Sequence, residues 1–254
     1  MNRQLSISTL LLTALLPTLA ARASLVITYA EGPNEVNSLL TGTTVFNFNS
    51  LATNETHTNF AWSGVGSFDQ LRVLAADSYG GAVDPGFDYG SPYSVQGFSG
   101  VNTTTLTLTQ PHAYFGFWWS AGDANNILDF YNGENLVGHF STATLLDQLS
   151  STNDYRGNPR DRGLNYGENY AFINFFGQEG TTWDKIVLSN GSGTGFESDN
   201  YTDRQAPWSL ETDGPMPGHQ LVTIQTPETN AVPETGSALL GMLGGMLLLR
   251  RRRA

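Results

Sequence analysis

The chain has 254 residues, a length that suits one domain or two. Hydrophobic residues make up 39% and aromatics 11%, which supplies a core and excludes wholesale disorder; charged residues are only 14%, with 28 glycines, a balance that suits strands and turns better than exposed helices. Cysteine is absent, so disulfides, thiolate zinc sites and cysteine nucleophiles are excluded, and four histidines leave few ways to build an imidazole metal site.

Residues 1–23 read as a secretory signal peptide. Arg3 gives the positive start, 10–19 the apolar stretch, and Ala21 and Ala23 the small-x-small site for signal peptidase. Between Ser24 and Gly236 lie all 23 acidic residues but only six basic ones: Arg72, Arg156, Arg160, Arg162, Lys185 and Arg204. That part carries a net charge of −17, which repels nucleic acid and anionic lipid head groups. No nucleic-acid partner is expected.

Residues 24–210 are predicted to form one β-domain. Strand patterns fall at 25–29, 44–48, 71–74, 103–109, 112–119, 127–131, 136–140, 170–176, 183–188 and 221–225. A single short helix is predicted over 142–149, where Leu145, Leu146 and Leu149 share a face. Asn132-Gly133 between two apolar runs is a hairpin signal, because both residues tolerate positive φ. Gln110-Pro111 and Asn190-Gly191 read as further turns. Many short antiparallel strands imply an all-β, jelly-roll-like sandwich. Two long irregular stretches, 78–98 and 150–169, interrupt the pattern, and loops of that length are often functional. Residues 211–231 are rich in Pro, Thr and Gly and read as a linker with one further strand.

Three sets of side chains are candidates for chemistry. Glu31 follows the first strand, and Glu197 and Asp199 lie in the stretch Phe196-Glu197-Ser198-Asp199-Asn200. That stretch resembles the last strand of carbohydrate-binding jelly rolls, and the resemblance implies a structural calcium shared with a first-strand carboxylate. Calcium takes six to eight oxygen ligands, which such residues can supply. Asp123, Asn125 and Asn126 form a second oxygen-rich turn, open equally to Asx-turn hydrogen bonding. In 112–119, alternation sends Tyr114 and Trp118 one way and Phe115, Phe117 and Trp119 the other. If the first pair faces outward, Asp129, Tyr131, His139 and Asn174 join it in a platform for extracellular polysaccharide; otherwise a second layer covers it. No His-Glu-x-x-His pair, Gly-x-Ser-x-Gly elbow or phosphate-cradling loop is present, so no catalytic residue is assigned.

The C-terminus carries Val232, Pro233, Glu234, Thr235 and Gly236, then an apolar run over 238–249, then Arg250, Arg251, Arg252 and Arg253. A helix of that run spans about 18 Å, short of the roughly 30 Å hydrocarbon core. The arginines hold the end on the cytoplasmic side. Residues 232–254 thus read as a temporary tether presenting a motif for cleavage. This three-part end resembles the PEP-CTERM sorting signal of bacteria that carry an exosortase, with Pro-Glu-Thr-Gly where Pro-Glu-Pro is usual. The motif is also similar to a sortase signal of the Leu-Pro-x-Thr-Gly kind. A permanent anchor fits the short span less well. Phe115-Gly116-Phe117-Trp118-Trp119-Ser120, with 126–133, 170–176 and 183–188 after it, resembles the central block of exosortase-dependent surface proteins.

Together these readings give an exported protein, transiently held at the inner membrane by its tail and cut there by an exosortase-type protease. It then reaches the cell surface or extracellular matrix with a non-enzymatic structural or adhesive role. A carbohydrate-binding module is the alternative, and a polysaccharide-active enzyme the second.

Overall fold

The computed structural model describes residues 23–225, apart from 81, 83–85, 89, 99, 150–153 and 192–193. The leader through Ala21, the motif from Val232 to Gly236 and the arginines 250–253 lie outside the described residues. Among those described, no helix is long and apolar enough to cross a membrane.

The strands are β1 (Ser24–Tyr29), β2 (Thr44–Phe46), β3 (Glu55–Trp62), β4 (Gly66–Leu74), β5 (Tyr93–Gly97), β6 (Thr103–His112) and β7 (Tyr114–Gly122). Then come β8 (Asn126–Asn132), β9 (Asn135–Ser141), α1 (Ala143–Leu149), β10 (Asn169–Gln178), β11 (Trp183–Asn190), β12 (Gly195–Arg204), α2 (Leu210–Asp213) and β13 (His219–Gln225). The named strands pair antiparallel in the order β13-β1-β10-β7-β12-β5-β4-β6-β11-β8-β9, with β2 on β12 and β3 on β4. This path folds over on itself into a nearly closed antiparallel sandwich, the class that the strand pattern predicts. One layer is β13-β1-β10-β7-β12; the other is β4-β6-β11-β8-β9; β5 bridges them. Across the gap Phe130 of β8 and Phe140 of β9 meet Phe175 of β10, with ring centroids 4.9 and 5.3 Å apart.

Phe115, Phe117 and Trp119 all join this interior, as alternation along β7 requires. Burying each such ring contributes roughly 1.5–3 kcal/mol of hydrophobic free energy. The chain crosses between layers at Ala113, where β6 ends at His112 and β7 begins at Tyr114. Gln110-Pro111, expected to be a turn, therefore lies inside β6, at a register shift opposite Trp183 and Lys185. A proline, which lacks the N–H a ladder needs, fits such an irregularity.

The hairpin at Asn132-Gly133 is displaced by one residue. Asn132 pairs with Asn135, so the loop is Gly133-Glu134, and only Gly133 takes positive φ (59°). A glycine at the first central position suits a type II′ turn. Three strands are missing from the predicted strand patterns, β3, β5 and β12, the last signalled only by the resemblance at 196–200. β3 is largely exposed, so it has no apolar alternation to betray it, and β5 sits inside the glycine-rich stretch 78–98. Residues 211–225 are also less of a linker than their composition suggests, since β13 pairs with β1 along its length.

Candidate active site

The first layer has a buried outer face. Trp118 packs there with Tyr170, Phe172, Val36 and Ala82, and its Nε1 donates to the Gly80 carbonyl at 3.1 Å. The cover is held by one atom: the Ser78 carbonyl accepts from Asn158 Nδ2, Asn165 Nδ2 and the Tyr170 hydroxyl at 2.8, 2.7 and 3.0 Å. Both long loops are thereby fastened to each other and to β10. Nearer the start of β7, Tyr114 is buried with Leu40 and Phe176, and Trp208 and Met216 pack on them. Its hydroxyl donates to Asn174 Oδ1 at 2.7 Å and accepts from the Ser38 hydroxyl at 2.6 Å.

The proposed sugar platform is therefore corrected on geometry. Tyr114, Trp118 and Asn174 are buried beneath this second layer. Asp129, Tyr131 and His139 lie on the outer face of the other sheet, because Leu128 and Phe130 between them point into the core. There His139 Nδ1 bonds Asp129 Oδ1 at 2.6 Å and Lys185 stands 4.5 Å over the Tyr131 ring. The structure does not bring the six residues together.

Past Trp118, toward the end of β7, the cover opens into a cleft of about 590 Å³. Four carboxyl groups line it: Asp77 after β4, Asp123 after β7, Glu168 before β10 and Glu197 on β12. Tyr79, Tyr93 and Phe98 add aromatic surface, Tyr79 and Phe98 being 48% and 70% exposed. The alternation of β12 explains the position of Glu197: Phe196 enters the core, so Glu197 faces the cover. Its carboxyl folds back over Gly195, where an added Cβ would stand only 2.0 Å from Oε1.

Burial pushes the Glu197 carboxyl up to about 8; its own backbone N–H opposes this, and the charges of Asp123, Glu168 and Asp77 add to the rise. Glu168 is also raised, by burial and then by Asp123. Asp123 is held by hydrogen bonds from the Asn125 N–H (2.7 Å), Asn126 Nδ2 (3.5 Å) and the Thr194 hydroxyl. Asp77 Oδ1 accepts from the Tyr79 N–H at 2.8 Å and Oδ2 from the Tyr93 hydroxyl at 3.2 Å. Such an arrangement can keep one carboxylic acid protonated at neutral pH, a starting point for acid–base catalysis.

The calcium candidates end up apart. Among the described residues, no group of three or more His, Asp or Glu side chains is placed to hold a metal ion. Glu31 is exposed at the surface, and Glu197 faces the cleft with a different set of charges, Asp123, Glu168 and Asp77. Asp199 is fully buried and accepts from Ser91 Oγ at 2.5 Å and the Asn200 N–H at 2.6 Å. In the second turn Asn126 is buried, its Oδ1 accepting from Trp119 Nε1 at 2.7 Å, while Asn125 closes an Asx-turn on Asp123. Sequence reasoning thus singled out Asp123 and Glu197 of the cleft and missed Asp77 and Glu168. The one signal for the missed pair was their position in or beside the two long loops.

No known protein family matches the chain, and no curated protein matches it. Among solved structures it is similar to the catalytic domain of a GH87 alpha-1,3-glucanase, a D1069A variant in complex with tetrasaccharides, at 16% identity and a TM-score of 0.35. The match covers 73% of this chain and 30% of that one. At this level no residue role passes to this chain. The expected non-enzymatic, structural or adhesive role is corrected on the cleft itself, which joins a carboxyl pushed up to about 8 to three others, an arrangement a structural role does not require.

Proposed function

We propose that the cleft is the active site of a polysaccharide-active enzyme that hydrolyses glycosidic bonds. The observation that carries this reading is Glu197, a carboxyl raised to about 8 in a cleft it shares with Asp123, Glu168 and Asp77. Glu197 serves as the general acid. As the glycosidic C–O bond breaks, the departing oxygen takes the Glu197 proton and water supplies the hydroxyl of the new reducing end. Asp123, fixed by its three donors, serves as the opposing carboxylate. Tyr79 and Phe98 offer ring faces on which a sugar can lie. The leader and tail support an exported enzyme, cut by signal peptidase and by an exosortase-type protease, that meets its polymer outside the cytoplasm.

The exposed aromatics favour a second reading, in which the same cleft binds a glycan without cleaving it. One experiment separates them. Incubation of the full chain with a panel of polysaccharides is expected to release reducing ends. Glu197→Gln is expected to lower that rate by about 10²–10⁴-fold, with a melting temperature equal to that of the wild type at acidic pH. Binding without release supports the second reading. Equal activity of Glu197→Gln overturns the assignment of the acid.

A further inference from the structure

Among the described residues, the carboxyl groups of the cleft have no basic counterpart. Its described lining contains Asp77, Asp123, Glu168 and Glu197 but no Lys, Arg or His. Salt bridges among the described residues lie elsewhere, as His112–Asp203, His139–Asp129 and Arg204–Asp213. The basic loop beside the cleft does not supply one through Arg162, whose guanidinium donates to the carbonyls of Arg156, Gly157 and Pro33 and to Asn34 Oδ1. Beside Glu197, three further carboxyl groups face one cavity in a chain whose residues 24–236 carry a net charge of −17. A cleft that concentrates one sign of charge draws in ligands of the opposite sign and repels its own.

A second, independent feature points to a sugar rather than a simple ion. Tyr79 and Phe98 expose large apolar faces in the same cavity, where nothing in the described chain covers them. The apolar C–H faces of a pyranose ring match such surfaces, whereas a bare metal or polyamine does not use them.

We propose that the cleft selects glycans bearing free, protonated amino groups, that is, chains of de-N-acetylated hexosamine, over neutral and uronate-containing chains. This rests on the reading of the cleft as a glycan site and names its substrate class. The sugar amines supply the positive charge that the protein withholds, and the rings lie on Tyr79 and Phe98. Acetylation of the amines removes the charge and leaves the ring unchanged, which makes the pair a clean comparison.

The test is calorimetric titration of the full chain at mildly acidic pH with a glucosamine hexamer, its fully N-acetylated counterpart, a neutral glucose hexamer and a uronate hexamer. The glucosamine chain is expected to bind about tenfold or more tightly than the others, with affinity falling as salt is added. Glu168→Gln and Asp77→Asn are each expected to narrow that gap while leaving the melting temperature in place; if one fails to fold, the other decides. Equal affinity for the acetylated and free-amine chains, insensitivity to salt, preference for the uronate or binding of none overturns the proposal. Assaying the wild type for release of reducing ends from the same hexamers separates it from the catalytic reading: amine selectivity without hydrolysis leaves this inference standing and removes the other, and hydrolysis without amine selectivity does the reverse.

Discussion

On the outer face of the first layer, Tyr114, Trp118 and Phe172 are shut away beneath two loops and a C-terminal strap. On the outer face of the second, Asp129, Tyr131 and His139 meet solvent. The strands themselves foretell the contrast. β7 is buried along its whole length, whereas β8 alternates between buried and half-exposed positions. A near-continuous apolar run marks a strand covered on both sides, and strict alternation marks one covered on a single side. Ring chemistry alone therefore does not locate a sugar platform. What matters is whether the opposite side of the same strand is also apolar.

Breaking the covered face has the largest expected effect. Trp118→Ala removes a fully buried indole together with the bond to Gly80, and is expected to cost about 3–5 kcal/mol in denaturant unfolding. A cost below about 1 kcal/mol would show that the loops do not pack on the sheet in solution.

The open end of that face gives a pH signature. The Glu197 carboxyl, at about 8 in the folded chain against 4.5 without perturbation, holds a proton that the unfolded chain has already lost. The stability linked to it is complete below 4.5 and is lost as pH rises through 8. Thermal melts of the wild type against Glu197→Gln across this window are expected to diverge, with the variant less sensitive to pH. Hydrolysis is expected to decline on the alkaline side as the acid ionises.

A subtler change sharpens the comparison. Tyr114→Phe keeps the ring but leaves Asn174 Oδ1 without its donor and the Ser38 hydroxyl without its acceptor, and is expected to cost about 1–2 kcal/mol by chemical denaturation. The smallest effect belongs to the second layer. Tyr131→Ala loses only a half-exposed ring and its contact with Lys185, and is expected to lie within about 1 kcal/mol of the wild type in the same measurement. A larger loss there would mean that this face, too, is covered.

By itself the sequence determined the all-β class, the inward direction of Phe115, Phe117 and Trp119, and the helix around Leu145 and Leu149, because strand and helix periods are local properties of the chain. The continuous run along β7 also carried the message of two-sided burial. Tertiary structure alone decided the cleft. Asp77, Asp123, Glu168 and Glu197 come from four separate segments and meet only when the fold gathers the segments after β4 and β7, before β10 and on β12 around one cleft. The high proton affinity of Glu197 arises in the same way, from burial and neighbouring charge that no stretch of sequence contains.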